Sequence, residues 1–139
     1  MSADRIDVAA PCDLLFLYGT LRRGCAGHEA RRLAEESAYL GEAQLPGRLY
    51  RVAEYPALVT DDLGGPVTGD LVRLFRPYET LIWLDAHEET GHGFAEPWEY
   101  RRVLLNVGTS AGARLAWIYV YGWPVAGLVA IAGGDWLKG

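Results

Sequence analysis

Carboxylates and imidazoles crowd one stretch of this sequence. LDAHEETGHG, residues 84–93, holds Asp85, His87, Glu88, Glu89 and His92. Two chemistries are open to it. A helical zinc site needs two histidines four apart, so that both lie on one face. His87 and His92 are five apart and diverge if the helix persists. A loop that brought them together could add His28 or Asp85 as a further ligand. The other chemistry is proton transfer by a single carboxylate. Glu88 lies near the expected C-terminal end of a helix, where the partial negative charge disfavours an anion and raises its pKa. Burial beside Trp83 or Tyr100 would raise it further. A glutamate poised in this way takes a proton and later returns it. A charged helix end facing water is the plainer reading of the same residues.

The second stretch is LLFLYGTLRRG, residues 14–24. An apolar run that reads as a strand breaks at Tyr18-Gly19-Thr20-Leu21 and turns basic. The break is either an ordinary turn or a loop that presents backbone N–H groups to an anion. Cys25 lies close by, but no helix N-terminus or fixed cation stands beside it to make it reactive, so it reads as a small residue that fits. No G-x-S-x-G elbow, P-loop or dinucleotide glycine fingerprint is present.

The elements that must position these residues follow from pattern. Residues 14–18 read as a buried strand and 28–38 as a helix, dense in charge with Ala and Leu. AQLPGRLYRV holds a Pro-Gly turn and then a short strand. YPALVTDDLGGPVTGDLVRLF reads as two strands joined by a Gly-Gly-Pro turn, with the second, Val67 to Phe75, antiparallel to the first. Pro77 suits the first turn of a helix, with Glu79 near its N-terminus and Leu81, Leu84 and Trp83 on its buried side. Gly91 and Gly93 should end it. Residues 99–107 and 114–122 are the remaining long strands. In the latter, Leu115, Trp117, Tyr119 and Tyr121 share one face, and Ala116, Ile118 and Val120 the other. Five or six short strands with two helices, mostly at hairpin spacing, predict an α+β domain. Its sheet should be curled or barrel-like, with helices packed outside.

The 139 residues suit one domain, and half of them are apolar, enough for a core. Thirteen Lys and Arg against eighteen Asp and Glu leave a net charge of −5, which argues against a general nucleic-acid binder. The pairs Arg22-Arg23, Arg31-Arg32 and Arg101-Arg102 read as solvated faces. Residues 115–134 carry no charge and are long enough to cross a bilayer. Their glycines, Pro124 and β-branched residues fit a strand and a turn better than a membrane helix. The stretch Trp123–Ala132 is either an interface or a cover for the barrel end. Two cysteines, Cys12 and Cys25, and no signal peptide predict a cytoplasmic protein with free thiols.

Taken together, LYGTLRRG, YPALV, LDAHEE, EYRRVLLNV, WIYVY and GGDW resemble the gamma-glutamylcyclotransferase-like (AIG2-like) family, in its small bacterial branch. The likeness runs from about Leu14 to Trp136, so the whole chain, 1–139, is expected to be one domain of this kind. It implies a small, mostly antiparallel β-barrel flanked by helices, in agreement with the strand count. It implies an enzyme that needs no metal and no organic cofactor. Its small-molecule substrate would be a gamma-glutamyl compound. The α-amine attacks the side-chain carbonyl, and 5-oxoproline and an amine are released. On the charge balance and the pattern of residues 115–134, neither nucleic acid nor a membrane is an expected partner. Carried onto this sequence, the resemblance makes Glu88 the general acid and base. The backbone around Tyr18, Gly19, Thr20 and Leu21 would hold the gamma-glutamyl group and face developing oxyanion charge. Tyr100 and Tyr119 match pocket-lining positions, where core packing is an equal alternative, and Tyr121 is a weaker candidate. Two features depart from the family. Glu89 stands where a glycine is usual, either raising the pKa of Glu88 by repulsion or sharing its role. The long loop Thr90–Trp98 is expected to cover the pocket and shape substrate choice. A binding module that keeps the pocket without turnover is the alternative function.

Overall fold

The computed structural model describes residues 12–138. Strand β1 (Leu14–Leu17) is buried at all positions, because it faces two apolar compartments at once. Helix α1 (His28–Glu35) follows, then the long strand β2 (Ser37–Arg51), β3 (Pro56–Thr60) and β4 (Gly65–Leu74). Helix α2 (Pro77–His87) leads to the hairpin of β5 (Tyr100–Thr109) and β6 (Gly112–Tyr121), and then to β7 (Val129–Ile131). Five strands close into a barrel in the order β2-β4-β1-β6-β5. β5 returns to β2 through one bridge, Gln44 opposite Gly108. β1 and β6 run parallel, and all the other pairings are antiparallel. This is the expected α+β barrel.

The two compartments divide the core. Leu14, Phe16, Leu45, Leu49, Val107 and Ile118 fill the barrel interior. Leu15, Leu17, Val72 and Tyr119 face outward and are roofed by Leu33 of α1 and Leu81 and Leu84 of α2. β6 shows the period of two as expected: Ala116, Ile118 and Val120 point in, and Trp117, Tyr119 and Tyr121 point to the helices. Ile118 and Leu84 are fully buried, and each contributes about 1.5–3 kcal/mol relative to exposure.

Four expectations need correction. Pro46-Gly47 is not a turn, because β2 runs straight through it. Its partner changes there instead: β4 pairs residues 37–47 and β3 pairs residues 47–51. For the same reason β3 and β4 do not pair with each other; both are antiparallel to β2 and follow one another along it. Helix α1 stops at Glu35, and Ser37 and Ala38 already belong to β2. There the Glu36 carboxylate accepts hydrogen bonds from Thr80 Oγ1 and, at 2.9 Å, Trp83 Nε1. Helix α2 ends before the glycines, at His87, for a reason given below. At the C-terminal end, β7 pairs with β2, and Ile131 and Trp136 pack against the interior cluster. No helix among the described residues is long and apolar enough to cross a membrane.

Candidate functional site

A cavity of about 600 Å³ opens where β1 ends. Its floor is the segment Phe16–Leu21, and the C-terminal end of α2, His87–Glu89, forms one side. Tyr100 of β5 and Tyr119 of β6 line it from the sheet, and Phe94, Pro97 and Trp98 of the long loop complete the lining. The residues singled out in the sequence, Tyr18, Gly19, Thr20, Leu21, Glu88, Tyr100 and Tyr119, all line this one cavity.

The floor turn is fixed by sterics and by a buried charge cluster. A Cβ on Gly19 would lie 2.7 Å from Pro56 Cγ, so the Pro56 ring itself requires glycine there. Tyr18 is buried and donates its hydroxyl to the Tyr119 carbonyl. The Arg22 amide closes the turn on the Gly19 carbonyl at 3.1 Å. Among the described residues, the amides of Gly19, Thr20 and Leu21 donate no hydrogen bond. Three backbone donors in the lining of the cavity are therefore unengaged, which suits an anionic or carbonyl oxygen. Beyond the turn, Arg22 is 4% exposed, and its guanidinium reaches Asp135 Oδ1 at 2.9 Å and Asp70 Oδ1 at 3.3 Å. The Arg23 amide donates to Asp70 Oδ2 at 2.7 Å. Arg22 is thus a buried clamp and not part of a solvated face.

Glu88 is delivered by the way α2 stops. The Thr90 amide bonds the Asp85 carbonyl at 3.0 Å, and the Glu89 amide bonds the Ala86 carbonyl at 3.1 Å. These two bonds make a Schellman motif, whose C′ residue adopts the left-handed conformation. That residue is Glu89, with φ of 55°, where glycine would sit without strain. The motif explains both the early stop of the helix and why glycine is the common residue here. It leaves Glu88 half-buried in the cavity and Glu89 exposed at its edge.

Burial pushes the Glu88 carboxyl up to about 7, and the nearby carboxylates of Glu99 and Asp85 add to the effect. The expected neighbours were partly wrong. Tyr100 shares the cavity, but Trp83 points away, to Glu36. The repulsion comes from Glu99 and Asp85 and not from adjacent Glu89. Burial likewise raises the hydroxyls of Tyr18, Tyr100 and Tyr119, which stay neutral. Tyr55 rises to about 12, through burial first and then its 2.7 Å bond to Glu99.

Asp85 is the residue the sequence analysis undervalued. Arg102 grips it with both ends, Nε to Oδ1 at 2.8 Å and Nη2 to Oδ2 at 3.0 Å, and Tyr119 donates its hydroxyl to Oδ1 at 2.7 Å. Arg102 in turn stacks 4.2 Å over the Trp117 ring. The signal was available: Arg102 lies two residues after Tyr100 and so shares its face of β5, opposite Tyr119. Tyr121 packs edge-on against Tyr100, with ring centroids 5.3 Å apart. Asp85 therefore has protein partners. His87 and His92 are exposed, and no metal-holding group of His, Cys, Asp and Glu is found among the described residues.

A family model described as gamma-glutamyl cyclotransferase, AIG2-like, matches residues 15–138. The gamma-glutamylcyclotransferase family protein YtfP of Escherichia coli K12 is 35% identical over 130 residues, 88% of this chain and 95% of the relative. The solution structure of ytfP from Escherichia coli superposes with a TM-score of 0.62 at 32% identity, covering 90% of this chain and 96% of that one. The crystal structure of YkqA from Bacillus subtilis gives a TM-score of 0.68 at 27% identity, over 91% of this chain. This chain spans 40% of the length of YkqA.

Proposed function

The chain belongs to the gamma-glutamyl cyclotransferase, AIG2-like family, and from that premise we propose that it cyclises a gamma-glutamyl compound, with Glu88 as general acid and base. The observation that carries this reading is the Glu88 carboxyl. It is held near 7 in the same cavity as three unengaged backbone amides.

The reaction needs little else from the protein. The amides of Gly19, Thr20 and Leu21 bind the gamma-glutamyl group and stabilise the oxyanion that forms on its side-chain carbonyl. Holding the chain folded brings the α-amine against the γ-carbon, so ring closure is intramolecular. Ionised Glu88 takes a proton from the α-amine as the new C–N bond forms. The resulting carboxylic acid gives that proton to the departing nitrogen as the old C–N bond breaks. The products are 5-oxoproline and a free amine, and Glu88 is again a carboxylate. A carboxyl near 7 does both jobs at neutral pH because it exchanges its proton readily in either direction. No step calls on a metal or an organic cofactor.

The test is 5-oxoproline release by wild type and Glu88→Gln, with binding of a gamma-glutamyl compound measured by calorimetry. Glu88→Gln should lower kcat by about 10²–10⁴-fold and preserve binding. Binding without turnover in wild type would instead establish a recognition module, and undiminished turnover in Glu88→Gln would remove Glu88 from the chemistry.

A further inference from the structure

The stretch Gly133-Gly134-Asp135-Trp136 lies outside the cavity lining, yet it reaches the turn that forms the cavity floor. It is docked against β4 and the barrel interior. The Thr68 amide donates to the Gly134 carbonyl at 2.8 Å, a Cβ on Gly134 would run into the Pro66 carbonyl, and Trp136 packs on the interior cluster. The Arg51 guanidinium stacks 4.5 Å over the Trp136 ring. Asp135 is thus delivered from a fixed backbone. Its carboxylate is fixed too, because Oδ1 accepts the Leu137 amide at 3.0 Å as well as Arg22 Nη1 at 2.9 Å.

The floor turn is held at both ends. At its entry the Tyr18 hydroxyl donates to the Tyr119 carbonyl. At its exit the Arg22 amide donates to the Gly19 carbonyl, and the Arg23 amide to Asp70. The Arg22 guanidinium then ties that exit to two carboxylates. One is Asp70, which stands opposite Leu17 in β4, and the other is Asp135, 113 residues away in sequence. The contact to Asp135 is the shorter, 2.9 Å against 3.3 Å. Arg22, Asp70 and Asp135 all lie outside the cavity lining, so none of them is placed to touch a bound substrate. What they fix is the direction of the amides of Gly19, Thr20 and Leu21. An oxyanion hole works through donors already aimed where charge develops, so a small misaim is felt more in the transition state than in the ground state. We infer that Asp135 is a positioning residue for the cyclisation: through Arg22 it keeps these three amides aimed at the oxyanion. This rests on the cyclisation proposed above.

The test measures 5-oxoproline release from gamma-glutamylalanine and gamma-glutamylbutylamide by wild type, Asp135→Asn and Asp135→Glu, well below their melting temperatures. Asp135→Asn keeps the side-chain shape and an acceptor for the Leu137 amide, and removes the charge. Its kcat should fall about tenfold while KM changes less than about threefold. Asp135→Glu, which returns the charge, should recover most of the lost kcat. In proton–nitrogen correlation spectra without substrate, the amide signals of Gly19, Thr20 and Leu21 should move in Asp135→Asn and lie closer to wild type in Asp135→Glu. An unchanged kcat in Asp135→Asn, with a lowered unfolding midpoint, would overturn the inference and leave Asp135 a brace. So would a rise in KM alone, which marks lost ground-state binding, or floor amide signals that stay in place. Wild type that releases 5-oxoproline from neither substrate and does not bind 5-oxoproline would overturn the cyclisation itself, and the inference with it.

Discussion

Two arginines tie carboxylates to distant parts of this chain, and they do so in different surroundings. Arg22 is almost fully buried, joined to Asp70 of β4 and Asp135 near the C-terminal end, and its Nε has no partner among the described residues. Arg102 is half-buried, holds Asp85 in a two-pronged grip and rests on Trp117. The difference in solvent decides what each pair can do. Inside, taking the charges out of water nearly cancels their attraction, so the Arg22 cluster fixes geometry more than it stabilises. At the cavity edge desolvation is smaller, and the pair sets the charge felt by Glu88 one helical turn away. One cluster latches the floor, and the other lies beside the carboxyl of Glu88.

The comparison breaks most visibly at Arg22. Arg22→Met leaves Asp70 buried and Asp135 half-buried without their cation, so denaturant unfolding should show a loss of about 3–5 kcal/mol. Adding Asp70→Asn and Asp135→Asn to it should recover much of that loss. No recovery would mean that the cluster contributes through its charges after all.

Next in size is a pH effect at the other end. The Glu88 carboxyl lies near 7 in the folded protein and near 4.3 in an unfolded chain, so between those values the folded state holds the extra proton. Its contribution is fully present below about pH 4 and is lost as pH rises through 7. Glu88→Gln cannot ionise and escapes that loss. At pH 8 it should be more stable than wild type by about 3–4 kcal/mol, a gap that closes at pH 4. Equal stability at both pH values would place the carboxyl in water.

Arg102→Gln should cost about 1–2 kcal/mol, less than the loss at Arg22. It should also raise the apparent pKa of the acid limb of kcat/KM, because Asp85 then faces Glu88 uncompensated. Asp85→Asn should lower it. Limbs that do not move would reduce the pair to a structural brace. The smallest effect is expected at Glu89, where Glu89→Gly relieves the left-handed backbone and should stabilise by about 1 kcal/mol.

Where one side of an element is buried and the other is not, the sequence was readable. The alternation in β6 placed Ala116, Ile118 and Val120 inside and Tyr119 toward the helices, as found. Pro46-Gly47 was misread because the local turn signal is strong, whereas the exchange of partners along β2 is a tertiary fact that no short window contains. Single arginines were misread for a related reason. Arg22 and Arg102 differ from Arg23 and Arg101 only in what lies opposite them, and those partners, Asp135 and Asp85, are remote in sequence. Among the cavity residues, type and spacing pointed to Glu88 and to the turn at Gly19, each beside a plainer reading, whereas Tyr100 and Tyr119 were placed there by the family resemblance, because one tyrosine on a strand face looks like another until its neighbours are known.

β1 is the first strand of the barrel in the chain, yet it sits between β4 and β6, and its outgoing turn is latched by Asp135. On the ribosome, β2, β3 and β4 can zip together from contiguous sequence, but the place beside β1 stays vacant until β6 has emerged. Until then β1 presents one bare, wholly apolar edge, an attractive target for a chaperone or for another nascent chain. The cavity floor is consequently complete only once β6 and Asp135 have emerged, and a chain stalled before β6 would have its helices and Glu88 but an unfinished cavity.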